Sequence, residues 1–170
     1  MFKIKLLILL LISFFFYSCT NNQIKSIDQK YSLAYIGGEL DGLLLKNYLL
    51  ISLKNLDVYD SNSNYKINAN INHSSSLYIT NIDNTSNREK ITTNLSIQII
   101  DTLSKCEILN EQIEVSQFYI YASSDKFLSN QTAAREIKKT NTELSVSRFI
   151  NELRTIDHKC DEEQKSNIIN

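Results

Sequence analysis

The alternation of apolar and polar residues in two segments most constrains how this chain folds. In residues 65–72, YKINANIN, every second residue is apolar, and residues 91–100, ITTNLSIQII, alternate in the same way. A period of two is typical of a strand with one buried face and one polar face. The chain is therefore expected to form a sheet that is covered on one side.

Shorter runs complete the predicted sheet. Residues 31–36, YSLAYI, read as a strand that Gly37 and Gly38 end. Residues 113–121, IEVSQFYIY, are rich in aromatic and β-branched residues and predict the last strand. Residues 77–82 are a candidate extension of the hairpin that begins at Tyr65.

Two further segments have the i, i+3, i+4 spacing of apolar residues that predicts amphipathic helices. The first begins near Glu39, and its predicted apolar stripe consists of Leu40, Leu43, Leu44, Tyr48, Leu50 and Ile51. The second runs from a predicted N-cap at Asp125 to about Asp157. Its predicted buried side comprises Ala134, Ile137, Asn141, Leu144 and Arg148, with Val146, Phe149, Ile150 and Leu153 beside them.

The predicted order of elements is strand, helix, three or four strands, helix. This order favours an α+β fold in which two helices pack on one face of a mixed, mostly antiparallel sheet. We expect one such domain over residues 31–157. A polar, flexible tail is expected at residues 158–170.

The N-terminal residues have the order of a secretory signal. Lys3 and Lys5 precede the apolar run LLILLLISFFFY at residues 6–17, and Cys19 follows. This run is shorter than the ~20 residues that a membrane-spanning helix needs. Residues 1–18 are therefore predicted to be a cleaved signal peptide, and the alternative is a short anchor that stays uncleaved.

Residues 16–19, FYSC, resemble a bacterial lipobox, in which a small residue precedes an acylated cysteine. Cys19 is therefore the predicted lipidation site, and residues 19–30 are predicted to tether the domain to a membrane. Stable anchoring takes more than one acyl chain, and lipoproteins of this kind typically carry three. Thr20, in place of an Asp, is compatible with export to the outer membrane.

Composition excludes several classes of function. The chain has three Gly and no Pro, and it contains no Gly-rich phosphate loop of the dinucleotide or P-loop type. Cleavage before Cys19 removes Lys3 and Lys5, so 18 basic residues become 16 against 19 acidic ones, and the formal charge moves from -1 to -3. No basic stripe remains that would favour nucleic acid as a partner.

Cys106 and Cys160 would remain in an oxidising compartment, where a disulfide can form. A bond between them would close a loop of about 55 residues and stabilise the fold by about 4 kcal/mol in the chain-entropy model. Two unpaired thiols are the alternative, because Cys160 lies in a charged tail. Without a C-x-x-C pair, zinc and thioredoxin-like sites have no support.

The sequence shows no catalytic constellation. His73 and His158 have no partner at ligand spacing, and both are expected to be single exposed histidines. Residues 74–76, SSS, lack the neighbouring Gly of a nucleophile elbow. We therefore expect no enzyme, no metal and no cofactor.

Arg88 and Lys90 are expected where a turn meets a strand. Arg offers two parallel hydrogen bonds to a phosphate, so this pair is a candidate phosphate contact, and Lys126 is a weaker one. The alternative is that these charges protect a strand edge from aggregation.

In their order, these segments resemble the LptE-type lipopolysaccharide-assembly lipoproteins. The resemblance covers residues 19–156 and includes a final helix with two alanines and an I-x-x-L pair, Ile150 and Leu153. Its other parts are Cys19, YIGGELDGLLLKNYLLISL, YKINANI and TSNREKITTNLSIQIID. The residues after Cys19, TNNQIK, depart from the aromatic-Pro-Leu-Tyr segment of many relatives.

The resemblance implies a subunit that sits inside a large LptD-type β-barrel at the outer membrane, held there by its lipid. Such a subunit acts as plug and assembly partner while lipopolysaccharide passes to the outer leaflet, and it binds lipopolysaccharide. Arg88, Lys90 and Lys126 are then candidate contacts to the phosphates of that glycolipid. Two alternatives stay open: a free-standing, periplasm-facing lipid- or ligand-binding lipoprotein, such as an auxiliary lipoprotein of a lipid transporter, and a structural lipoprotein without a small ligand.

Overall fold

The computed structural model describes residues 27–79, 87–120 and 126–156. The signal, Cys19, most of the tether, Asp125 and the tail lie outside these ranges. Six elements follow one another: β1 (Tyr31–Gly37), α1 (Glu39–Asn55), β2 (Tyr65–Ile79), β3 (Asn87–Asp101), β4 (Cys106–Ile120) and α2 (Phe127–Leu153). This order confirms the predicted α+β fold.

The four strands form one sheet in the order β1-β2-β3-β4. β1 pairs with β2 in parallel, and α1 is the crossover between them. The other two pairings are antiparallel, so the sheet is mixed as predicted. At ~3.3 Å per residue, the 15 residues of each long strand span about 45 Å.

The hydrophobic core lies between the two helices and one face of the sheet. The three long strands contribute every second residue, namely Ile67, Ala69, Ile71, Leu95, Ile97, Ile99, Ile113 and Val115. The helices contribute Leu45, Leu49, Leu53, Val146, Phe149, Ile150 and Leu153. The alternation in the sequence is therefore a correct guide to the buried face. Neither described helix is both long and apolar enough to cross a membrane.

The predicted apolar stripe of α1 is wrong in part: Tyr48 packs against the core, but the helix buries a different set of residues. Its buried residues are Gly42, Leu45, Leu49 and Leu53, whereas the predicted members Leu40, Leu43 and Ile51 are 85%, 59% and 54% exposed. Leucines occur on all sides of this helix, so its apolar spacing does not define one face. Only the packing against the sheet selects the side that is buried.

The prediction for α2 is correct in part. Asn141, Val146, Phe149, Ile150 and Leu153 are buried as expected. Leu144 and Arg148 are exposed, and Ala134 and Ile137 are half-buried. The helix ends at Leu153, before the predicted limit at Asp157.

All three long strands are longer than predicted. β2 runs without interruption to Ile79, and β4 begins at Cys106 although its apolar run starts only at Ile113. The first half of β4 pairs with β3 across an irregularity between Ile99 and Ile100. Backbone hydrogen bonds to the neighbouring strand extend β4 where its side chains give no strand pattern.

All three glycines of the chain lie at the turn from β1 into α1. Gly38 has φ +115°, a conformation that L side chains rarely adopt, and a Cβ there would lie 2.7 Å from both the carbonyl oxygen and Cγ2 of Ile71. A Cβ on Gly42 would lie 2.7 Å from the carbonyl oxygen of Gly37. The crossover therefore depends on residues without a side chain.

We predict that Gly38→Ala lowers the free energy of unfolding by about 2 kcal/mol, because it combines backbone strain with a clash against backbone atoms. Equilibrium urea unfolding followed by circular dichroism measures this loss.

Gly37→Ala is the matched control. A Cβ at Gly37 meets only side-chain atoms, Asn70 Oδ1 at 2.5 Å and Tyr35 Oη at 2.9 Å, and these can rotate away. We expect a smaller loss of stability for this variant. Equal losses in the two variants would contradict the role assigned to Gly38.

Candidate functional site

The face of the sheet opposite the helices is the most extensive feature outside the core. The side chains that alternate with the core positions on β2, β3 and β4 point to this face, which we call the open face. Most of them are uncharged and polar: Asn68, Asn70, Asn72, Ser74, Ser76, Thr92, Asn94, Ser96, Gln98, Asn110, Gln112 and Ser116. The open face is thus a broad surface of amides and hydroxyls.

Cross-strand hydrogen bonds organise part of this surface. Thr92 Oγ1 and Ser116 Oγ lie 3.2 Å apart, and Gln98 Nε2 donates to a carboxylate oxygen of Glu107. The backbone N–H of Tyr35 donates to Asn68 Oδ1 at 3.2 Å. Many of the remaining amides and hydroxyls are exposed, so this face can exchange hydrogen bonds with water or with another polar surface.

Arg88 and Lys90 lie on the open face at one end of the sheet. Arg88 pairs with Tyr78 on β2 and with Ile120 on β4, while Lys90 pairs with Phe118. The rings of Tyr78 and Phe118 meet edge to face, with centroids 5.7 Å apart. The structure therefore brings the two predicted cations together and surrounds them with apolar side chains.

We call this end of the molecule the distal end; it comprises residues 76–79, 87–90, 118–120 and 126–128. It carries six of the twelve strongly exposed large apolar side chains among the described residues: Leu77, Tyr78, Phe118, Ile120, Phe127 and Leu128. Such a concentration of exposed apolar surface marks a site of interaction with a protein, a lipid or another ligand.

The third predicted cation, Lys126, precedes α2 and is exposed. It lies six residues after Ile120, so the chain holds it within about 20 Å of the end of β4. Lys126 therefore belongs to the distal end, but on the helix side of the sheet. Sequence reasoning missed the exposed apolar residues around these cations. The signal that could have found Phe118 and Ile120 is that they alternate with Ile113 and Val115, which are buried.

The chain enters the domain at the other end of the sheet, which we call the proximal end. Tyr31 pairs with Tyr65, and Tyr65 pairs with Asp101. The tether towards Cys19 therefore joins the domain about 45 Å from Arg88, the length of a 15-residue strand.

His73 corrects the expectation of an exposed histidine. Its side chain is 2% exposed and lies on the helix side of β2. Nδ1 is 2.7 Å from Thr93 Oγ1, and Nε2 is 3.7 Å from a carboxylate oxygen of Asp41. Burial lowers the pKa of His73, as does Lys138, while Asp41 opposes this shift. This histidine is thus a packed residue near the start of α1.

The described residues contain no cluster of metal ligands. No group of three or more His, Cys, Asp or Glu side chains among them could hold a metal ion. Three surface clefts of about 490, 260 and 380 Å³ are lined largely by polar residues. One lies beside the edge strand β4, where Arg148 Nη1 donates to the carbonyl oxygen of Glu114 at 2.8 Å.

Comparison with known proteins gives matches among solved structures only. No family model matches the chain, and no curated protein matches it. Rare lipoprotein B from Shewanella oneidensis matches at a TM-score of 0.60 and 11% identity, over 75% of this chain and 95% of that one. A minor lipoprotein from Acinetobacter baumannii matches at a TM-score of 0.58 and 14% identity, over 78% of this chain and 97% of that one. Lipoprotein B from Nitrosomonas europaea matches at a TM-score of 0.56 and 8% identity, over 80% of this chain and 89% of that one.

These matches show that the fold is shared with lipoproteins of Gram-negative bacteria. They cover nearly the whole length of each of those proteins, so the shared part is the complete domain rather than a fragment of it. At these identities the likeness is one of fold.

Proposed function

We propose that this chain is a lipid-anchored outer-membrane subunit of an LptD-LptE-type translocon, anchored through Cys19. In this role it plugs a large β-barrel, assists its assembly and binds lipopolysaccharide on its way to the outer leaflet. The fold shared with rare lipoprotein B supports a lipoprotein, and the order of segments in the sequence, which resembles that of LptE-type lipoproteins, supports the finer assignment.

The open face is the observation that carries this proposal. The water-lined interior of a large barrel is polar and can pair with amides and hydroxyls. The open face offers such groups on all three long strands. The middle of this face carries a single charged side chain among the described residues, Glu114, which suits an enclosed position because burying an unpaired charge is far more costly than burying a hydrogen-bonded amide.

The distal end fits the two parts of a lipopolysaccharide molecule. Arg88 and Lys90 can pair with the phosphates of the glycolipid, and Tyr78, Phe118 and Ile120 beside them can contact acyl chains. A ligand that is only an anion would make no contact with the exposed apolar side chains. We therefore assign the phosphate contacts to Arg88 and Lys90, with Lys126 at the same end.

The alternative is a free-standing lipid- or ligand-binding lipoprotein. Such proteins usually enclose their ligand in a mainly apolar cavity. The clefts described above are open surface features with mixed polar and apolar lining, and the core beneath the sheet is filled by side chains. The geometry of the described residues thus favours a protein that binds through its surfaces.

Co-purification tests the translocon assignment. We expect the tagged full-length protein to come out of detergent-extracted membranes together with a large β-barrel protein. Asn94→Arg, in the middle of the open face and opposite Glu114 on β4, should reduce the recovery of the barrel by more than half, because its long charged side chain would hold the barrel wall away from the sheet.

Glu136→Arg is the matched control for this experiment, because Glu136 is exposed on α2, away from the open face. It should recover the barrel as the wild type does. Wild-type protein that purifies without any barrel would contradict the translocon assignment, and equal recovery with Asn94→Arg would contradict a role for the open face.

We further predict that Arg88→Glu combined with Lys90→Glu weakens lipopolysaccharide binding at least about tenfold, since hydrogen bonds to charged groups contribute roughly 1.5–3 kcal/mol each. Titration of labelled lipopolysaccharide into the purified full-length protein measures this.

Lys66→Glu combined with Lys105→Glu changes the net charge equally at the proximal end, where both residues are exposed. That control should bind lipopolysaccharide with nearly wild-type affinity. Equal losses of affinity in the two double variants would show that the effect comes from net charge alone. Unchanged binding in the distal variant would contradict the phosphate contacts and leave Arg88 and Lys90 as charges that protect a strand edge.

A further inference from the structure

The two edges of the sheet differ in how they are protected. β1 forms one edge and is seven residues long, and its pairing with β2 is irregular between Leu33 and Ile36. Residues 58–60 form backbone hydrogen bonds with Tyr31 on its outer side. A short strand, a bulge and a covering segment all protect a sheet edge from unwanted pairing.

β4 forms the other edge and lacks these features. It is 15 residues long, its pairing with β3 is regular from Leu109 to Ile120, and it contains no Pro, Lys or Arg. Within the described ranges, no other strand lies beyond it in the sheet. Such an edge presents a row of N–H and C=O groups to which a further strand can add.

Two contacts from α2 show where the backbone groups of β4 point. Asn141 Nδ2 lies 3.2 Å from the carbonyl oxygen of Ile91 on β3 and 3.4 Å from that of Val115, so both carbonyls lie between the two strands. Arg148 Nη1 donates to the carbonyl oxygen of Glu114 at 2.8 Å. Since these directions alternate along a strand, the Glu114 carbonyl faces away from β3.

The same alternation applies to the other residues of the strand. The N–H and C=O groups that face outward belong to Gln112, Glu114, Ser116, Phe118 and Ile120. In the described part of the chain, no backbone group outside β3 bonds to them. The guanidinium of Arg148 therefore occupies one acceptor of an edge that is otherwise unpaired.

A cleft of about 490 Å³ lies beside this edge, between β4 and the last turns of α2. Its lining includes Glu111 and Glu114 from the strand and Arg148 and Glu152 from the helix. In β-strand addition, a peptide takes main-chain hydrogen bonds from an edge strand, and every second side chain enters a pocket beside it. The edge of β4 and the cleft offer these two parts together.

The charges around the cleft indicate which partner it accepts. Three carboxylates, on Glu111, Glu114 and Glu152, surround the single guanidinium of Arg148. None of the three forms an ion pair with a described residue. Pairing with β4 of a second copy would bring glutamates together, because the strand carries three of them and no basic residue. The cleft therefore favours a partner with basic side chains.

We propose that the outer edge of β4 binds an extended segment of another protein that carries Lys or Arg at alternate positions. The segment adds to the four-stranded sheet as its fifth strand. Its backbone pairs with the outward groups of β4, and its basic side chains enter the cleft towards Glu111 and Glu152. Arg148 gives up the carbonyl oxygen of Glu114 to an N–H of the added strand.

Peptide titration tests the proposal. The probe is a dye-labelled peptide of about nine residues in which Lys alternates with Thr or Val. Two control peptides of the same sequence carry N-methyl groups, one on the Lys nitrogens and one on the other nitrogens. Each is titrated into the purified full-length protein in detergent, and fluorescence anisotropy measures binding.

We expect the unmodified peptide to bind. One methylated peptide should bind at least about tenfold more weakly, because it lacks the N–H donors that face β4, and the other should keep its affinity. Equal affinities of all three peptides would overturn strand addition, and absence of binding by the unmodified peptide would overturn the site. The experiment uses neither a barrel nor lipopolysaccharide, so its result is independent of the proposed function.

Amide hydrogen exchange, followed by NMR, locates the peptide. Exchange should slow at the outward amides of Gln112, Glu114 and Ser116 when the peptide binds. It should not change at Ile113 and Val115, whose amides face β3. Protection of the outward amides without peptide, at raised protein concentration, would identify a second copy as the occupant and overturn the proposal.

Glu111→Gln combined with Glu152→Gln should weaken peptide binding about fivefold, because exposed ion pairs contribute little individually. Glu136→Gln combined with Glu143→Gln is the matched control, since both residues are exposed on α2 and neither lines the cleft. The control should bind the peptide as the wild type does. Equal losses in the two double variants would overturn the placement of the basic side chains in the cleft.

Discussion

The sheet of this protein buries only one of its two faces, and most other features follow from that constraint. Two helices form a single layer, and Leu45, Leu49, Phe149 and Leu153 fill the space between them and the sheet. Burial of such side chains contributes roughly 1.5–3 kcal/mol each. The parallel pairing of β1 with β2 places α1 in this layer, and it depends on the turn at Gly38, where a Cβ would strike the backbone of the next strand.

One-sided burial also explains the arrangement of the proposed site. The three long strands present polar side chains to whatever lies opposite the helices. Their amides and hydroxyls can form hydrogen bonds either with water or with a polar protein surface. Where the strands reach the distal end, apolar residues such as Phe118 and Ile120 stand beside Arg88 and Lys90 on the open face. The proposed surface for a barrel wall and the proposed surface for a charged lipid thus lie on one sheet, and the second is about 45 Å from the entry of the tether.

Much of the fold could be predicted because alternation in a strand leaves no ambiguity about the buried face: Ile67 and Leu95 could only point inward together with their alternate neighbours. The same reasoning failed for α1, where leucines surround the helix and a shift of one residue turns the stripe by about 100°. His73 was placed wrongly because the strand continues past Asn72 and brings this side chain next to Asp41 at the start of α1. The candidate cations were identified, but their apolar surroundings arise from pairing between strands that are distant in sequence.

The most direct test of the central claim is site-specific photo-crosslinking in living cells. A photoreactive residue replaces Ser96, which is exposed at the middle of the open face. The proposed arrangement predicts a crosslinked product with a large outer-membrane β-barrel, because the open face would lie against the barrel interior. Absence of that product, or a product with a small soluble protein in its place, would contradict the account.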